Sequence, residues 1–160
     1  MSRAPQPPDP SELTIERVLL ASEGRAIPFA AIEFAARLAA PRKAEVHVFS
    51  IARVHGTVFG LPSPGLLPTK REWQAQRDLV ATAVKALRKR GLKAQGEVIG
   101  TRKAASRIAQ QAKDLGADAI VMAADPSRNR IVADFMWTQE PQRVVRKARV
   151  PVYLVPDEGD

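Results

Sequence analysis

Two hydrophobic rhythms alternate along this chain. Val18-Leu19-Leu20 is an unbroken apolar run inside Ile15–Ala21, the pattern of a strand covered on both faces. Glu23-Gly24-Arg25 interrupts it. Apolar groups then recur at 27, 31, 34, 35 and 38, which predicts a helix over 27–40, with Pro28 tolerated in its first turn and Pro41 as its stop. Glu45–Ile51 is β-branched and aromatic and predicts a second strand. Lys70–Arg90 is helical through 73, 80, 84 and 87, and Gly91 stands where a helix C-cap needs it. Leu92–Ile99 reads as a third strand, Gly100-Thr101 as a turn and N-cap. Ala104–Leu115 then forms a helix with Ala105, Ile108, Ala112 and Leu115 on one face and Gly116 at its end. Ala119–Met122 is a short fourth strand. Pro141 opens a last helix with Val144, Val145 and Ala148 inward, and Val150–Val155 is a fifth strand whose proline suits a sheet edge.

Strands alternating with helices in this order predict an α/β fold: a doubly wound, five-stranded, mainly parallel sheet with helices on both faces. Ligands of such sheets bind in the crevice at the carboxyl ends of the strands, where the winding reverses. Glu23, the end of the second strand, Gly100 and Ala123 then surround the expected crevice. Residues 1–13 read as a disordered Pro-rich tail, 14–156 as the α/β domain and 157–160 as a C-terminal tail. Residues 54–69 hold three glycines and three prolines, which excludes a helix or a central strand. Phe59, Leu61, Leu66 and Leu67 make this segment apolar, so it is expected to fold over the crevice as a lid.

Composition narrows the chemistry. A chain of 160 residues with 45% hydrophobic and 26% charged residues suits one globular domain. The absence of cysteine excludes disulfides, thiolate metal sites and thiol nucleophiles. Two histidines, His47 and His55, are too few for a histidine-built metal site; His47 is expected to be a packed strand residue and His55 a loop residue. No stretch approaches the ~20 apolar residues of a membrane span, and residues 1–10 lack the apolar core of a secretory signal, so a cytoplasmic protein is expected. The net charge of +8 is concentrated in residues 70–103, with ten basic groups against three acidic. That segment could attract phosphates or an acidic partner. It lacks the interleaved aromatics of an RNA platform and any DNA-recognition motif, so nucleic acid is not the expected partner. Gly96 to Lys103 has the wrong spacing for a phosphate-binding P-loop.

Five pieces, in order, resemble the universal stress protein family over residues 15 to 156. They are Arg17-Val-Leu-Leu-Ala-Ser-Glu-Gly24, Val46-His47-Val48, Gly100 with the helix carrying Ile108 and Ala112, Ala117-Asp118-Ala-Ile-Val-Met122, and Val144 to Val155 with Pro151. The resemblance implies a Rossmann-like domain and a homodimer through Val150–Val155. One class of the family binds ATP with Gly-x2-Gly-x9-Gly-Ser/Thr after the fourth strand, where backbone N–H groups and a helix N-terminus cradle phosphates. Here the corresponding positions are Ala123, Pro126, Thr138 and Gln139, and the interval is two residues longer. Pro126 has no N–H. Phe135, Met136 and Trp137 add bulk, and Glu23 stands where the family has an aspartate. ATP binding through the glycine loop is therefore not expected, and no cofactor is.

The candidate crevice positions are Glu23, Val48, Ala123, Thr138 and Gln139. Glu23 either accepts from a ligand's amino or hydroxyl group or caps the following helix. Arg102 and Lys103 are cations at a helix N-terminus, where a docked anion would relieve their conflict with the dipole. Trp73, Phe59 and Trp137 either stack a flat ligand or cover apolar surface. No catalytic residue, metal site or nucleophile–base pair emerges; Ser22 beside Glu23 is no triad. The expected function is a non-enzymatic stress-response domain acting through dimerisation and through a protein or small-ligand partner. Two rivals stand beside it: a nucleotide binder with phosphate contacts rebuilt from Arg128, Arg130 or Arg102, and a binder of nucleic acid or an acidic partner through residues 70–103.

Overall fold

A computed structural model describes residues 14–53, 68–124 and 140–156. In chain order the elements are β1 (Arg17–Ser22), α1 (Phe29–Ala39), β2 (Glu45–Arg53), α2 (Lys70–Lys89), β3 (Ala94–Thr101), α3 (Ala104–Leu115), β4 (Ala119–Ala123), α4 (Glu140–Lys147) and β5 (Val152–Val155). The five strands form one parallel sheet in the order β3-β2-β1-β4-β5. Right-handed crossovers account for the layers. Stepping from β1 through β2 to β3 puts α1 and α2 on one face. Returning across the sheet to β4 and on to β5 puts α3 and α4 on the other.

β1 carries the core of both layers. Val18 and Leu20 pack with Ala31, Ala35, Val84 and Leu87 under α1 and α2. Leu19 and Ala21 point the other way, to Ile108, Ala112, Ile120 and Val144 under α3 and α4. A strand buried on both faces has no polar alternation, which is why its sequence is a plain apolar run. The start of β1 is held by Asp118, whose carboxylate accepts the N–H groups of Glu16 (2.8 Å) and Arg17 (3.0 Å). Thr69 and Glu72 form a reciprocal capping box at the N-terminus of α2. Glu33 of α1 joins the helices by accepting from Arg90, and that guanidinium holds the Glu33 carboxyl below its usual range. Gly116 ends α3 with φ 63°, a left-handed turn that a side chain would strain.

Several expectations are corrected. Gly100 and Thr101 are neither turn nor cap. They extend β3, paired with Ala52 and Arg53, because β2 itself runs two residues beyond Ile51. Lys103 caps α3 instead, and Thr101 Oγ1 accepts the Lys103 N–H at 3.1 Å. Pro28 is the N-cap of α1, which starts at Phe29, and Pro41 lies inside a 3₁₀ turn (Ala40–Arg42) that prolongs the helix. Val145 is 47% exposed, because packing against α3 sets the phase of α4 and turns Val144 inward. β5 begins at Val152, after Pro151, whose missing N–H cannot join the ladder. It is an edge strand, as that proline suggested. Among the described residues no helix is long and apolar enough to cross a membrane. The lid expected over 54–69 rests on residues 54–67, which lie outside the described residues, as do both tails.

Candidate functional site

Winding reverses between β1 and β4, so the crevice lies beyond Ser22 and Ala123. The turn leaving β1 is built by its own residues. Gly24 takes φ 116°, a conformation favouring glycine, and its N–H donates to Ser22 Oγ at 3.2 Å. Ser22 Oγ in turn donates to the Arg25 carbonyl. This loop directs both Glu23 and Arg25 inward. Glu23 is 1% exposed, and its Oε1 accepts from Arg25 Nε.

Arg25 is the residue that closes the crevice. Its Nη2 donates to the Ala123 carbonyl at 2.9 Å and its Nη1 to the Ala124 carbonyl at 3.3 Å. One guanidinium therefore joins the end of β1 to the end of β4, and it does so with the planar fork of donors that only arginine offers. From the other side, Gln76 of α2 donates to the Gly24 carbonyl at 3.0 Å and accepts from the buried Ser50 hydroxyl at 2.5 Å. Ser50 is the β2 partner of Ser22 in the sheet. The hollow between Leu20, Glu23, Arg25, Ile27 and Ala123 has no space for a water molecule.

Each sequence candidate can now be located. Glu23 and Ala123 do meet at the crevice, joined by Arg25. Glu23 does not cap α1, whose N-cap position is Pro28 and whose first turn has no side-chain cap hydrogen bond. Val48 lies in the middle of β2, between Leu20 and Gly96, and its side chain is in the core under α2. Thr138 and Gln139 fall outside the described residues, as do Pro126, Arg128, Arg130, His55, Phe59, Phe135, Met136 and Trp137. The next residue, Glu140, opens α4, is buried, and accepts from Arg143 at 3.3 Å. Trp73 lies over Gly100, 3.0 Å from where a Cβ would stand, and so covers the sheet. His47 is a partly buried strand residue; its Nε2 lies 3.2 Å from Glu45 Oε1, which also accepts from Gln95. Arg102 and Lys103 are exposed.

Sequence reasoning missed Arg25 and Gln76. A cation two residues after Glu23, across a glycine, was a readable signal for the first. The second had none, since Gln76 meets Gly24 across 52 positions. Chemically the arrangement is a clasp. Ser22 spends its hydroxyl on the Arg25 carbonyl, whereas a serine nucleophile must give its proton to an adjacent base.

A profile of the universal stress protein family matches residues 14–156. A structure from that family from Burkholderia pseudomallei is 21% identical, with 89% of this chain and 96% of that chain covered and a TM-score of 0.67. A universal stress protein from Archaeoglobus fulgidus in complex with dAMP is 19% identical, over 89% of this chain and 98% of that one, with a TM-score of 0.62. A universal stress protein in complex with cAMP is 14% identical, over 90% and 98%, with a TM-score of 0.63. At these identities the likeness is one of fold. A search of functionally curated proteins finds no significant match.

Proposed function

The chain belongs to the universal stress protein family, and from that premise we propose that it is a non-enzymatic, homodimeric stress-response domain of the cytoplasm that works by binding a partner protein or small ligand. It does so without holding ATP in the crevice. The observation that carries this reading is the Arg25 guanidinium seated on the Ala123 and Ala124 carbonyls, in a hollow with no space for water. A nucleotide entering there would have to break the Glu23–Arg25 pair and leave a buried carboxylate without that guanidinium. Ala123 and Pro126 also deprive the segment after β4 of the glycines that let backbone N–H groups approach phosphate.

Titration calorimetry with ATP and magnesium tests this. The expected result is no binding tighter than about 1 mM, and a low-micromolar constant, roughly −8 kcal/mol, would overturn the reading. The second reading, a nucleotide binder, is favoured by the dAMP and cAMP complexes of similar fold. In it Arg102, Arg128 or Arg130 supplies the phosphate contacts, and the same titration decides between the two.

Dimerisation is assigned to Val150–Val155. Among the described residues β5 is an edge strand whose outer N–H and C=O groups have no neighbour in the sheet, and all four of its side chains are half-buried in the single chain. Tyr153 is anchored from behind by the Phe34 ring, with centroids 5.2 Å apart. A second β5 is the economical cover for such an edge. Light scattering is expected to give a dimer for the wild type and a loss of at least tenfold in dimer affinity for Tyr153→Lys. A monomeric wild type, or a lysine variant that folds and dimerises unchanged, would exclude this interface.

A further inference from the structure

An open cavity lies at the other end of the domain. Beyond the amino ends of β4 and β5, between α3 and the segment joining α4 to β5, is a space of about 470 Å³. It exists because the groups around it are small. Ala112 on α3, Ala117 before β4 and Val150 before β5 form its apolar floor, and Gly116 takes the chain around its corner. The size falls within the roughly 300–1,000 Å³ of small-molecule sites.

Its rim has one sign of charge. Lys113 lies in the last turn of α3, Lys147 ends α4 and Arg149 follows two residues on, and all three line the space without an acidic group among the lining residues. Among the described residues none of the three has a carboxylate within ion-pair distance. The carboxylates nearest in sequence are already engaged: Asp114 accepts from the Gln110 amide at 2.7 Å, and Asp118 accepts from the backbone of β1. Nor do the last carbonyls of α3 hold these cations. The Ala112 carbonyl accepts the Ala117 N–H at 2.8 Å and the Lys113 carbonyl the Gly116 N–H at 3.1 Å. Lys113, Lys147 and Arg149 are exposed cations, and their summed field along one rim attracts an anion.

We infer that this cavity binds a small organic anion with an apolar body and a phosphate-type head, the body lying on Ala112, Ala117 and Val150 and the head between Lys113, Lys147 and Arg149. Arg149 supplies the forked donor that a phosphate monoester accepts in two bonds, and the lysines add point charges. The site is separate from the crevice and owes nothing to the Glu23–Arg25 clasp.

Phenyl phosphate is a fitting probe, titrated into the full ¹⁵N-labelled chain with inorganic phosphate in parallel. The expected result is saturable movement of the Gly116, Ala117, Arg149 and Val150 amide signals, with a dissociation constant below about 1 mM and at least tenfold tighter than for inorganic phosphate. Lys147→Gln with Arg149→Gln should weaken phenyl phosphate at least tenfold and leave distant amides unmoved, and Lys113→Gln alone should weaken it from the opposite wall. The inference is overturned by unsaturated shifts, by shifts spread along residues 70–103, by shifts centred on Ser22–Ile27, or by equal affinity in the folded double variant. Equal affinity for the two phosphates would remove the apolar body from it.

Discussion

Arg25→Ala is expected to lower the stability of the domain by about 1–3 kcal/mol, the usual cost of taking the donor away from buried acceptors. Glu23 sits at 1% exposure and loses its guanidinium partner, and the Ala123 and Ala124 carbonyls lose their donor at the same time. Denaturant melting measures the loss directly. Glu23→Gln in the same chain should recover part of it, since an amide costs less to bury than a carboxylate. Arg25→Lys separates charge from geometry. A lysine keeps the charge but cannot place three donors in one plane, so it should retain only part of the stability. A fully stable lysine variant would mean that charge alone closes the crevice, and a stable alanine variant would remove the clasp from the account altogether.

Gly96→Ala is expected to cost about 2–3 kcal/mol, at the upper end for one methyl group forced into a packed core. The new Cβ would stand 2.2 Å from Val80 Cγ1 and 3.0 Å from Val84 Cγ2. Neither neighbour yields easily. Valine is stiff at χ1, and both valines lie on the buried face of α2. Gly96 cannot retreat either, because β3 is paired with β2 on both sides of that position. Val80→Ala removes the clashing methyl, so the double variant should be less destabilised than the sum of the two single variants. Strict additivity would show that the clash is relieved elsewhere. The glycine thus sets how closely α2 approaches the sheet, and α2 carries Gln76 to the crevice.

Alternating periods of apolar residues were enough to read the order of strands and helices, and with right-handed crossovers that order implies the two layers. These are local properties: a strand covered on both faces must be apolar throughout, as Val18–Ala21 is, and a helix covered on one face must repeat every three or four residues, as Ala105, Ile108 and Ala112 do. Two helix ends were legible for the same reason, at Gly91 and Gly116, since capping groups sit within a few residues of what they cap. The crevice was legible in place but not in content. Glu23 and Ala123 could be set at the strand ends by topology, yet their relation runs through Arg25, whose guanidinium reaches carbonyls 98 and 99 positions away. Gln76 joins Ser50 to Gly24 only because α2 lies across β2. Gly100 and Thr101 became strand rather than turn because β2 supplied Ala52 and Arg53 as partners, and Val145 faces outward because α3 fixed the rotation of a helix only two turns long. Hydrogen-bond partners distant in sequence, and the phase that a neighbour imposes on a short element, leave no periodic trace along the chain; only the packed sheet and its two helical layers decide them.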